Sequence, residues 1–245
     1  MDVRTARTGG AYGVIEQGDI ISYLDMCREE GVNLQRGMNY RLRGGASVIL
    51  MSIRPGAPYA DRIEEHGRVL IYEGHDVPHT PGGPHPKSVD QPAWTPAGTP
   101  TQNGLFFAAA AAYKGGAAPA EVVKVYEKIR SGIWVYNGLF QLVDAWHETS
   151  NARLVFKFRL EVLEAAAPGT GVSDSSSVDH SRVIPASVKL LVWQRDKGRC
   201  VVCGREDNLH FDHIIPYSKG GSSLVAENIQ LMCARHNLGK RDKIE

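Results

Sequence analysis

The feature that most restricts this chain is a set of four soft donors near its C-terminus. Cys200 and Cys203 form a C-x-x-C, and Cys233 and His236 form a C-x-x-H. Three thiols and an imidazole in two close pairs are the donor set that tetrahedral zinc takes. A stretch of about 60 residues buries little apolar surface, so a metal staple is physically expected there. Four unrelated residues would have to explain both tight pairs and the turn-like Gly204-Arg205 beside the first. The spacing therefore predicts a structural zinc ion on Cys200, Cys203, Cys233 and His236.

Other polar residues interleave with these. An amide is a poor zinc ligand, so Asn237 does not stand in for His236. Asp212 and His213 sit side by side in a short strand-like run that leads into a glycine loop. In an extended strand their side chains leave from opposite faces. One can then ligate a hard cation while the other acts on water. Either residue alone reads equally well as a surface acid or a packed histidine.

The rest of the composition sets limits. The 245 residues allow one large domain or two modest ones, and 42% hydrophobic residues suffice for real cores. A net charge of +1 means that any nucleic-acid surface is a local patch. No apolar run of about 18 residues offers a membrane span, and the first residues lack the apolar core of a signal peptide. With only four cysteines, three of them in the cluster, a reducing cytoplasm of prokaryotic type is expected. Cys27 reads as a small buried side chain.

Along the chain, residues 1–17 read as an arm and residues 18–31 as an amphipathic helix. Residues 37–45 form a glycine-bounded loop with two arginines, either plain surface or a probe of a DNA groove. Strands are expected over 47–53 and 68–74, and a long irregular loop over 76–104. Its histidines, and His75 at its edge, are assigned no ligand role. A helix over 102–113, a short apolar segment over 122–129, and strands over 134–136, 139–146 and 153–163 follow. In the last, Leu154, Phe156, Phe158, Leu160 and Val162 alternate with Val155, Lys157, Arg159 and Glu161, giving one core face. Residues 165–181 read as a linker, and 185–195 as a short helix. The expected organisation is a first domain over 1–164, a linker over 165–181 and a second domain over 182–245.

The run C-x-x-C-G, D-H-I-I-P, G-G, E-N-I-Q-L-M-C-x-x-H-N-x-x-K resembles the HNH endonuclease motif of ββα-metal nucleases. The resemblance implies that His213 activates the attacking water and that Asn228 orients His213 by hydrogen bonding. It implies further that Asp212 and Asn237 hold a catalytic Mg²⁺ or Mn²⁺. His236 replaces the cysteine usual at the last zinc position. Lys240 and Arg241 could meet backbone phosphates.

The first domain resembles an SRA domain over roughly residues 16–163. The resemblance is carried by G-G-A-S-V-I-L-M-S, Y-E-G-H-D, N-G-L-F-F-A, I-W-V-Y-N-G-L-F-Q-L-V-D-A-W and V-F-K-F-R-L, in that order. Such domains flip 5-methylcytosine into a pocket. The resemblance implies that Tyr59 and Tyr72 stack on the base and that Asp61 accepts from its amino group. Here Asp61 lies two residues after Tyr59, where the family's acid lies three after; Glu64 and Glu65 are the fallbacks. Met38, Asn39 and Arg41 are the implied groove contacts.

The fold class expected is α+β, an SRA-like (PUA-like) twisted sheet or barrel with flanking helices, joined to a zinc-stapled ββα unit. The function expected is modification-dependent restriction of double-stranded DNA carrying 5-methylcytosine or 5-hydroxymethylcytosine. One HNH site cuts one strand, so a double-strand break would call for a homodimer or two separate nicks. The rival readings are an HNH nuclease for unmodified DNA and a non-catalytic modified-DNA binder with a zinc knuckle.

Overall fold

The computed structural model describes residues 15–43, 45–163 and 183–240. The expected linker, most of the N-terminal arm and Arg241 lie outside the described residues. The fold is mixed α+β, built on one eight-stranded sheet and one two-stranded sheet.

The chain enters through β1 (Ile20–Ser22) and α1 (Tyr23–Glu29), then β2 (Met38–Asn39), β3 (Ser47–Met51), β4 (Arg62–Glu64) and β5 (Val69–Glu73). The helix expected from residue 18 thus starts later. Ile20 and Ile21 pair in a strand with Val135 and Trp134, and Ser22 caps α1 by accepting from the Asp25 N–H. After the long loop come α2 (Gln102–Lys114), β6 (Glu121–Arg130), β7 (Ile133–Ser150) and β8 (Arg153–Val162). The large sheet runs β2-β3-β6-β7-β8-β5-β4, with β1 also on β7 and β3 parallel to β6.

Strand β7 joins the two strands expected at 134–136 and 139–146. It stays continuous because Asn137 is accommodated as a bulge: Val125 pairs with Gly138 while Tyr126 pairs with Tyr136. Gly138 takes φ +98°, which a glycine adopts without strain. A second irregularity between Lys128 and Arg130 leaves Ile129 out of the ladder. Bulges re-aim side chains, and both Asn137 and Ile129 end up buried against the C-terminal stretch.

Strand β8 departs from its expected one-sided pattern. Leu154 is exposed, whereas Val155 and Lys157, on the other face, are buried. Lys157 is tolerated there because Glu73 lies 2.9 Å from its Nζ.

The C-terminal stretch contains α3 (Ala186–Arg195), β9 (Leu209–His213), β10 (Ile229–Cys233) and α4 (Ala234–Lys240). It does not stand apart from the sheet. Val183 packs in the main sheet core, while Ile184, Val188, Val192, Leu209, Phe211 and Leu231 share a second core with Ile129 and Val135. Within this seam Lys189 Nζ reaches Glu127 at 2.8 Å and also bonds Asn137, all three side chains being buried. The Phe211 N–H donates to the Gly18 carbonyl, and Asp19 meets the His210 ring. No helix among the described residues is long and apolar enough to cross a membrane.

Candidate functional site

The quartet is assembled from two local devices. Cys200 and Cys203 lie in a tight knuckle after α3, closed by the Cys200 N–H on the Arg205 carbonyl and the Gly204 N–H on the Cys200 carbonyl. Cys233 ends β10, and His236 lies one turn into α4. The four donor atoms all lie within 4.8 Å of one another. Cys203 Sγ is 3.8 Å from Cys233 Sγ, and His236 Nδ1 is 3.5 Å from Cys200 Sγ and 3.3 Å from Cys233 Sγ. Bonds of about 2.3 Å to sulfur and about 2.0 Å to nitrogen at tetrahedral angles give edges of about 3.5–3.8 Å. The cluster could therefore hold a metal ion as it is built. Burial alone would raise the Cys200 thiol. The N–H groups of Cys233, Cys203 and Val202, with the His236 ring, bring it down to about 6.

At the end of the hairpin away from Cys233, β9 and β10 pair so that His213 lies opposite Ile229 and Asp212 opposite Gln230. Asp212 Oδ2 accepts from Lys240 Nζ at 2.7 Å and from Gln230 Nε2 at 3.3 Å. Lys240 also donates to the His213 carbonyl. Asn237 stands three residues before Lys240 on α4, so the two share a helical face. A carboxylate and an amide oxygen are both donor types that a hard cation takes.

His213 Nε2 lies 2.8 Å from Ser223 Oγ. Asn228 is buried and does something other than the expected bond to the His213 ring. Its Oδ1 accepts from the Ile215 N–H, and its Nδ2 donates to the carbonyls of Ile215 and Ser222. Asn228 thus clamps the loop that closes the hairpin.

A second site lies on the large sheet. A cavity of about 1100 Å³ is lined by Arg36, Tyr59, Asp61, Tyr72 and His75, among others. Asp61 is fixed by two backbone donors, the Ser52 N–H at 3.1 Å and the Glu73 N–H at 3.0 Å. Burial raises its carboxyl to about 7 against the lowering effect of those N–H groups. Tyr72 is fully buried, which pushes its hydroxyl well above the ordinary value. Its oxygen lies 3.2 Å from His75 Nε2. The His75 ring stacks on Tyr59 with centroids 5.8 Å apart, and Lys87 Nζ sits 4.0 Å from the Tyr59 centroid. Desolvation first, then Arg36, lowers His75 to about 4, so it is neutral at pH 7.

The structure thus brings Tyr59, Asp61 and Tyr72 around one cavity. Glu64 and Glu65 pair instead with Arg62 and Arg159. Two expected DNA contacts need correction. Met38 is fully buried in the sheet core, where no groove can reach it. Lys240 is 2% exposed, with its ammonium committed to Asp212. Asn39 donates to the Arg36 carbonyl, and the exposed Arg41 pairs with Glu121.

His75, Lys87 and Ser223 escaped sequence reasoning. The first two lie in or beside a proline-rich segment that reads as solvated loop. What fixes His75 is remote: Asn103 Oδ1 accepts its N–H, and Asn103 Nδ2 donates to its carbonyl.

No curated protein matches the chain. Among solved structures, the SRA domain of SUVH5 with hemi-methylated CG DNA is similar at 24% identity and a TM-score of 0.44, covering 69% of this chain and 99% of that one. The same domain bound to fully hydroxymethylated CG DNA gives 23% identity, a TM-score of 0.44 and the same coverage. Arabidopsis thaliana SUVH6 in complex with SAM gives 19% identity and a TM-score of 0.37, over 64% of this chain and 26% of that one. Residues 200–243, the stretch that holds the quartet, Asp212, His213 and Asn228, match the family model of the HNH endonucleases.

Proposed function

We propose that this protein is a modification-dependent DNA endonuclease, with the HNH unit cutting and the sheet cavity reading modified cytosine. The observation that carries the reading is the HNH match over a hairpin with Asp212 and His213 at one end and Cys233 of a metal-fit quartet at the other. In this reading the quartet holds zinc and keeps the small unit folded. His213 takes a proton from the attacking water. Asp212 and Asn237 would hold Mg²⁺ or Mn²⁺. A divalent ion bound there supplies charge stabilisation at the leaving 3′ oxygen.

The reading role of the cavity rests on the SRA-like order of motifs and on the pocket's chemistry. A flipped cytosine needs an aromatic face and an acceptor for its amino group. Tyr59 offers the face and Asp61 the acceptor. The 5.8 Å between the Tyr59 and His75 centroids is a single stacking distance. A base that stacks on that face of Tyr59 therefore takes the place of the His75 ring. Residues 1–164 and 182–245 are in this account the reader and the cutter. A homodimer would place two cutters on one duplex.

The test is cleavage of a 5-methylcytosine duplex with added Mg²⁺ or Mn²⁺ by wild type and by His213→Ala. Loss of about 10²–10⁴-fold in rate with binding retained is expected. Cleavage by His213→Ala at the wild-type rate contradicts the assignment.

A further inference from the structure

Ser223 has no part in the reading so far, and its place beside His213 gives it one. It is 1% exposed, within the Gly-Gly-Ser-Ser stretch of the glycine loop that follows β9. Several contacts make that loop rigid. The Asn228 side chain ties the Ser222 carbonyl, just before Ser223, to the Ile215 backbone, two residues after His213. The Asn228 carbonyl accepts from the Ile214 N–H at 2.7 Å. Gly221 passes so close to this edge that an added Cβ would lie 1.8 Å from the Ile215 carbonyl oxygen. Its N–H donates to the Pro216 carbonyl, and the Leu224 N–H donates to Ser222 Oγ. The outcome of all these restraints is a buried hydroxyl 2.8 Å from one ring nitrogen of His213.

A neutral imidazole carries its single N–H on one nitrogen and its lone pair on the other, and only the second can accept a proton. A histidine base therefore needs a partner that holds the protonated nitrogen and fixes the ring. We propose that Ser223 is that positioning residue, its oxygen accepting from Nε2–H so that Nδ1 carries the lone pair that takes the proton from water. Asn228 then acts on the reaction through the loop that delivers Ser223. This rests on the nuclease reading above.

The test compares wild type, Ser223→Ala, Ser223→Thr and His213→Ala on one modified duplex, together with the imidazole ¹⁵N resonances of His213 in the metal-loaded fold. Ser223→Ala is expected to lower kcat by about 10–100-fold with KM little changed, and Ser223→Thr to restore most of it. The wild-type ring should show the Nε2–H pattern at neutral pH, and Ser223→Ala a mixture of tautomers. Full-rate cleavage by Ser223→Ala beside an inactive His213→Ala overturns the role of Ser223 alone. Full-rate cleavage by His213→Ala overturns the nuclease assignment and this proposal with it. If Ser223→Ala fails to fold, the wild-type resonances decide, and an Nδ1–H pattern overturns the proposal.

Discussion

The metal quartet and the sheet cavity are built on opposite plans. The quartet draws its donors from two short local devices, a knuckle and a strand-to-helix junction, and depends on ligand chemistry for its stability. The cavity draws its walls from residues spread between Tyr23 and Trp134 and holds them by bonds between separate segments, from Ser52 to Asp61 and from His75 to Asn103. The first kind of site is lost when one donor goes. The second is held by many partners, and each substitution takes away a fraction. Between them lies the seam of Lys189, Glu127 and Asn137, where the two plans meet.

Removing a quartet donor should have the largest effect. Structural zinc sites in small units are worth about 10 kcal/mol. Cys233→Ser should therefore release zinc and expose residues 183–240 to proteolysis, while affinity for a methylated duplex persists. Metal analysis, protease mapping and a binding titration check this together. Loss of binding along with zinc would show that the two regions are one cooperative body.

The seam comes next. Lys189→Ala leaves the Glu127 carboxylate buried without its ammonium, which costs about 3–5 kcal/mol. Lys189→Met fills the volume but also strands the carboxylate and should do little better. Glu127→Gln combined with Lys189→Met should recover part of the loss. Denaturant unfolding of the three variants measures it, and a Lys189→Ala loss below about 1 kcal/mol would mean the seam is not what joins the regions.

Smaller effects belong to the cavity. Tyr59→Ala removes a stacking face worth about 1–3 kcal/mol per base. It should weaken binding to methylated duplex by that amount and leave zinc content alone. The smallest effect is a pair of opposed pH slopes. Desolvation raises Asp61 from 3.8 to about 7, so its stabilising contribution is present below about pH 4 and lost as pH rises through 7. His75, lowered from 6.5 to about 4, contributes above about pH 6.5 and loses that as pH falls through 4. Relative to wild type, Asp61→Asn should make stability rise more steeply between pH 4 and 6.5, and His75→Asn should flatten or reverse that rise. Urea unfolding across this range reads both signs.

The same contrast explains what could be read from the sequence. Zinc-type spacing and the Asp212-His213 pair are contiguous text, and their chemistry is specified by residue type. Strands at 47–51, 69–73 and 153–162 and the helix at 102–114 were legible from apolar runs and periodicity. The continuity of β7 was not, because Asn137-Gly138 reads as a break and only the β6 ladder turns it into a bulge. Lys157 reads as a solvent-facing residue until Glu73 is brought to it from another strand. Met38 looked like part of a probing loop, yet pairing with Ile49 draws it into the core. Ser223 lies in what reads only as a glycine loop, because nothing local announces that Asn228 and Gly221 will fix the loop around it.

The most direct test of the central claim is a digest, with Mg²⁺ or Mn²⁺, of one plasmid prepared with and without cytosine methylation. Cleavage of the methylated copy and little of the unmethylated one is expected, with both left intact by His213→Ala. Equal cutting of the two copies would contradict it, leaving a nuclease whose cavity does not read the modification.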